Sequence, residues 1–413
     1  MADTTALVVF SHLRWNFVYQ RPQHVLSRLA DLWPVLYVEE PVVDLNNPPH
    51  WVFSEPAPDV LICQPHTPVT EPGFCAAQMP VLRALMDELV TEKQIRHAIA
   101  WMYTPLALPL AQALPVEALV YDCMDELSMF LHAPPELLIN EAELLATADV
   151  VFTGGQSLFQ AKQGRNPYVF CFPSSVDGPH FQAAQPTAVP PLAEPEDQRD
   201  LPHPRLGYYG VIDERMDLEL LDALASQHPE WQIVMVGPVV KIDPANLPRH
   251  PNLHYLGQRS YEALPAYLSG WDVCLLPFAR NDATRFISPT KTVEYMAAER
   301  MIVSTPLTDV ARPYGEIVFL GDSVAGFVSA CERALQVSPA EREGRLRKMR
   351  EVIQRTSWNT TAAGMAYQVE QALERRQSEL PELAGQANAP GSAQPTGALL
   401  EAFAAAPAQS SRA

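Results

Sequence analysis

Residues 271–298 read WDVCLLPF-ARNDATRFI-SPTKTVEYMAA. The first block is apolar throughout and short, as in a strand buried on both faces of a parallel sheet. The middle block, 279–287, has no periodicity. The last block opens on Ser288, a good helix N-cap, and Pro289, suited to the first helical position. The spacing therefore predicts strand, irregular loop, then a helix over 289–299. One strand feeding one helix in this way is the repeating unit of a parallel α/β sheet.

The unit recurs on both sides. In the second half, strands are expected at 205–212, 232–239, 253–257, 301–305 and 316–320, with helices near 214–227, 260–269 and 322–337, the last capped by Asp322. In the first half, strands are expected at 6–13, 35–40, 60–64, 97–103, 118–122, 150–154 and 168–172. Helices are expected near 20–32, 76–94, 135–148 and 156–163. Between the halves, 178–204 holds seven prolines and many acids, the composition of a linker or surface loop. The chain is accordingly divided into a first α/β domain (1–178), a linker (179–204) and a second α/β domain (205–356). A terminal helix (357–377) and a disordered Ala/Pro/Gly/Ser-rich tail (378–413) complete it.

Composition narrows the function. The 413 residues carry a formal charge of −19 and show no basic stripe, which argues against nucleic acid. The same acidity argues against loose attachment to acidic lipid, leaving at most peripheral membrane association. The six cysteines form no CxxC pair and have no metal-ligand spacing with histidines. Neither a basic leader nor an apolar run of about 20 residues is present. A cytoplasmic protein is expected, working either free or at the inner face of the membrane. No GxGxxG or GxxxxGK[ST] stretch occurs, so dehydrogenase and P-loop readings lose their main support.

In open α/β sheets ligands bind beyond the carboxyl ends of the strands. The helix opening at Ser288, Pro289 and Thr290 offers free N–H groups to an anion, and Lys291 adds a cation. Glu294, one turn on from Thr290, is placed to accept from a ribose diol. The competing reading is an ordinary capped surface helix. Gly210 after one strand and Gly237 after the next allow close backbone approach, and Arg215 offers a phosphate partner; a plain βα turn fits as well. In the first half, His12, Arg14, Trp15, Arg21 and His24 follow the first strand as a polar, aromatic and basic cluster suited to sugar, although His24 fits an exposed helix position equally. Asp122 ends another strand, where it would orient a hydroxyl or steady a developing positive charge. Asp125 and Glu126 fit helix caps at least as well.

Together these segments resemble the GT-B glycosyltransferases, and specifically glycosyltransferase family 4. The resemblance is carried by Ser288 to Ala298, Tyr208-Tyr209-Gly210-Val211, Val236-Gly237 and Asp272 to Phe278. The stretch Phe10 to Gln23 is similar to a bacterial envelope and exopolysaccharide subgroup of the teichuronic-acid type. It implies two Rossmann-like domains facing across a cleft, and a hexosyltransferase that needs no bound metal or other cofactor. The nucleotide-diphosphate sugar would be held by Gly210, Gly237, Ser288, Pro289, Thr290, Lys291 and Glu294. The glycan or lipid-linked acceptor would sit near Arg14, Trp15 and Arg21, with Asp122, His12, Lys291 and Arg215 as the chemical groups. Retention of configuration follows from the family alone. In the family a second glutamate often stands eight positions before the ribose-binding one; here that position is Phe286. The alternatives are a nucleotide-sugar epimerase or a non-catalytic binder on the same fold.

Overall fold

The structure is a computed structural model that describes residues 4–387, with side chains described through Ser378. Its first sheet contains β1 (Ala6–Ser11), β2 (Val35–Glu39), β3 (Val42–Val43), β4 (His50–Ala57) and β5 (Val60–Thr67). It continues with β6 (Ala98–Met102), β7 (Val116–Cys123), β8 (Val150–Thr153) and β9 (Val169–Cys171). The order is β3-β5-β2-β1-β6-β7-β8-β9, all parallel, with β4 antiparallel on β5. The second sheet contains β10 (Arg205–Tyr209), β11 (Gln232–Val236), β12 (Leu253–Gly257), β13 (Val273–Leu276), β14 (Met301–Ser304) and β15 (Phe319–Leu320). Its order, β12-β11-β10-β13-β14-β15, reverses direction between β10 and β13, the crevice where such sheets bind ligands.

The unbroken apolar runs are explained by burial on both sides. β1 sends Val8 and Phe10 to one face, packed under the helix Met79–Glu92, and Leu7 and Val9 to the other. That second face is covered by the helix Arg21–Leu29 and by the final helix, through Trp358, Met365, Val369 and Ala372. The final helix therefore crosses back from the second domain onto the first. Its Arg376 pairs with Asp149 at 2.6 Å.

Several expectations need correction. The helix expected at 289–299 spans Lys291–Ala297, and Ser288 does not cap it; the Ser288 carbonyl accepts from the Ser174 hydroxyl at 2.7 Å. Ser323, not Asp322, caps the helix Val324–Leu335. Residues 178–204 are no free tether. Gln198 is fully buried, donates to the Tyr267 carbonyl (2.9 Å) and accepts from the Trp271 indole (2.8 Å), which seals the segment onto the second domain. The final helix runs to Ala387, past the expected start of the tail at 378, and the rest of the tail lies outside the described residues. Two elements carried too weak a pattern to be anticipated. One is β4, mostly exposed; the other is the helix Pro339–Gln354, which buries only Leu346 and Met349.

Candidate active site

The carboxyl ends of β10 and β11 meet at two glycines. Gly210 has φ +130° and Gly237 φ +152°, conformations that side-chain-bearing residues rarely adopt. A Cβ on Gly237 would stand 1.9 Å from the Gly210 carbonyl oxygen, and one on Gly210 would stand 2.2 Å from Lys291 Cε. Glycine is thus required at both positions for the two turns to touch and for the Lys291 amine to lie against the backbone. The amine sits 5.4 Å from the centroid of the Tyr208 ring. Burial pulls its pKa down to about 8; Glu294 pulls upward and Arg215 adds to the depression.

Glu294 follows one turn later, 6% exposed. Tyr209 Oη donates to its Oε2 at 2.7 Å. Burial pushes the Glu294 carboxyl up to about 7, against the opposing pull of Tyr209 and Lys291. Arg215 is gripped by Asp213 through contacts of 3.0, 3.1 and 2.7 Å; burial works against its charge, but the paired carboxylate outweighs this and raises the pKa above the usual guanidinium value. These groups share a cavity of about 770 Å³ between the domains. Its walls include Gly210, Gly237, Arg215, Thr290, Lys291 and Glu294 from the second domain, and Trp15, Tyr19 and Gln20 from the first. A smaller cavity adjoins it, lined by Arg21, Asp125, Arg215, Ser288, Pro289, Thr290 and Lys291 among others.

The expected donor residues therefore converge. The expected acceptor and catalytic residues of the first domain largely do not. Asp122 is fully buried, and the Arg21 guanidinium holds it with contacts of 2.8, 3.1 and 3.1 Å. The carboxylate lines neither cavity and has no face for a substrate. Arg21, also buried, spends one further N–H on the Phe172 carbonyl and lines the smaller cavity. Arg14 is consumed by Glu39 (2.9 Å) and by the carbonyls of Glu40 and Pro41, so it anchors the end of β2. Trp15 lines the larger cavity, packed edge-on against Tyr37. His12 lines neither; burial, with Lys241 nearby, lowers its pKa to about 4, so the ring is neutral near pH 7. His24 is neither exposed nor in the cleft. It is 2% exposed and stacks on Trp358 at 4.7 Å, locking the returning helix to the first domain.

Three features escaped sequence reasoning. Asp125 caps nothing: it lines the smaller cavity, with the pKa of its carboxyl raised by burial against the pull of Arg215. Its neighbour Glu126 is taken by Lys162 at 2.7 Å. Tyr209 lay in a recognised segment, but only the fold aims its hydroxyl at Glu294. The domains are also stitched together around the cleft. Tyr19 stacks on Tyr261 at 4.7 Å, Gln258 donates to the Phe17 carbonyl, and Asp309 accepts from Ser157 at the start of the helix Gln156–Lys162. Phe286, where an acid was looked for, packs on the first domain's core beneath Arg285.

Comparison with known proteins agrees with this geometry. The family described as Glycosyl transferases group 1 matches residues 204–337, the second domain. A curated relative from Bacillus subtilis (strain 168), named "Putative teichuronic acid biosynthesis glycosyltransferase TuaH", is 29% identical over 161 residues; the match spans 37% of this chain and 40% of the relative. Among solved structures, the sucrose-phosphate synthase of Thermosynechococcus elongatus superposes with a TM-score of 0.68 at 17% identity, covering 90% of this chain and 100% of that one. An E. coli structure titled as trehalose-6-phosphate bound with UDP-2-fluoro glucose gives 0.63 at 14% identity, covering 89% and 99%. The fold is that of the GT-B glycosyltransferases. The group 1 match lies in the second domain, the half that carries the Lys291–Glu294 cluster.

Proposed function

We propose that the protein moves a sugar from a nucleotide-diphosphate donor to a glycan or lipid-linked acceptor, with retention of configuration and without a bound metal. The observation that carries the reading is the Lys291–Glu294–Gly210–Gly237 cluster. It sets a poorly compensated amine, a carboxyl with raised pKa and two positive-φ glycines at one strand-end crevice. A diphosphate supplies the negative charge that Lys291 lacks, and ribose hydroxyls donate to Glu294. Lys291 and Arg215 neutralise the departing diphosphate, a fixed electrostatic contribution to the rate. Asp125, facing that same cation pair from the first domain, orients the acceptor hydroxyl in the place first assigned to Asp122. Enclosure between the domains keeps water from the activated sugar.

The teichuronic-acid relative supports a role in bacterial cell-surface polysaccharide synthesis. Among the described residues no helix is long and apolar enough to cross a membrane. The test is thermal shift with UDP, GDP and their sugars, without metal, on wild type and Glu294→Ala. One diphosphate family should raise Tm in the wild type and not in the variant. No shift with any of them would remove the donor site.

A further inference from the structure

A second constellation stands at the edge of the first sheet, away from the cleft. His50 opens β4 and His66 lies directly opposite it on β5. Opposed antiparallel residues place their Cβ atoms about 5 Å apart on one face, and the two rings lie with centroids 5.0 Å apart. On the other side of β5, Val42 of β3 is in register with His66, and the chain continues two residues to Asp44, whose N–H donates to the Thr67 carbonyl at 2.7 Å. One ligand atom each from Asp44, His50 and His66 lies within 4.8 Å of the other two, and all three residues are half-buried.

We propose that Asp44, His50 and His66 bind a divalent transition metal, zinc first among them. Hydrogen bonding sets up both rings for it. His50 Nδ1 contacts the Pro48 carbonyl at 2.9 Å; a carbonyl can only accept, so Nδ1 carries the proton and Nε2 keeps its lone pair. The Gln64 amide nitrogen donates to Glu39 at 2.8 Å, so its oxygen turns to His66 Nε2 at 3.1 Å. That contact leaves the lone pair on His66 Nδ1. Imidazoles whose second nitrogen is held by an oxygen acceptor are the usual orientation device of metal-binding histidines. The Asp44 carboxylate is steadied by the Asn46 and Asn47 N–H groups (2.9 and 3.2 Å) and by the Asn47 side chain (2.8 Å).

Two imidazoles and one carboxylate suit zinc, with water completing a tetrahedron. Metal–ligand bonds of about 2.0–2.2 Å require the ligand atoms to draw in by roughly 1 Å, which side-chain rotation in a half-buried site allows. The bound ion would clip the 44–50 loop and the β4–β5 ribbon to the sheet edge. The proposal is independent of the sugar chemistry, and its test reads out separately from donor binding.

Zinc chloride is titrated into the tag-free, chelator-stripped full chain by calorimetry, and cobalt(II) is followed by its visible ligand-field absorption. One ion per chain is expected, with a rise in Tm. The double variant His50→Ala/His66→Ala should weaken binding by about 100-fold or more, and Asp44→Asn by about 10-fold. A cooperative thermal melt and an unchanged far-UV circular dichroism spectrum of the metal-free variants confirm that they fold. Absence of stoichiometric binding by the wild type, or undiminished binding by the double variant, overturns the proposal.

Discussion

Donor binding should exchange protons with solvent, and the direction should reverse between pH 7 and pH 8. Glu294, at about 7 in the free protein, is half protonated at pH 7 and about one-eleventh protonated at pH 8. Lys291, at about 8, is half deprotonated at pH 8 and about one-eleventh deprotonated at pH 7. A ribose diol donating to Glu294 demands the carboxylate, and a diphosphate facing Lys291 demands the ammonium. At pH 7, binding then releases about 0.5 proton from Glu294 and takes up about 0.1 at Lys291, a net release of about 0.4. At pH 8 the two groups exchange roles, and about 0.4 proton is taken up. The balance passes through zero near pH 7.5. Titration calorimetry in buffers of different ionisation enthalpy measures this number directly. The ligand should be the intact nucleotide sugar, because the terminal phosphate of a free diphosphate titrates on its own account. Glu294→Gln should remove the release and Lys291→Met the uptake. Net uptake at pH 7, or an exchange unchanged in both variants, would refute the assignment of these two residues to the donor.

Lys291→Met should stabilise the free protein while abolishing donor binding. Burial drops the amine from 10.5 to about 8, a penalty of up to about 3 kcal/mol at pH 7. That penalty is fully present below pH 8 and relieved as pH rises to 10.5, so the gain in urea midpoint should fade over that window. Asp122→Asn should act on stability: it strands the buried Arg21 guanidinium and should lower the unfolding free energy by about 3–5 kcal/mol. If Asp122→Asn instead leaves the melt unchanged and lowers kcat, Asp122 is chemical after all. Asp125→Asn should reduce kcat by about 100-fold or more with the donor's thermal shift intact. Loss of donor binding in that variant would place Asp125 on the other substrate.

The sequence by itself determined the layered architecture and the second-domain half of the candidate site. Uninterrupted apolar strands are legible because both faces of a parallel sheet are buried, so each strand records its surroundings in its own residues. Those residues are legible for a related reason: Gly210, Gly237, Lys291 and Glu294 each stand in the segment that follows one strand, a local event in the chain. The tertiary structure alone decided which charges are free. Arg14, Arg21 and Asp122 looked available beside their strand ends, but Glu39 reaches across from β2, and Arg21 and Asp122 find each other across 101 residues. Asp125, by contrast, looked like a cap and was left lining the cavity. Asp44, His50 and His66 have no metal-ligand spacing along the chain; strand pairing brings them together. Pairing partners for charge and for metal are chosen through space, and an exposed ribbon such as β4 buries too little to leave a pattern.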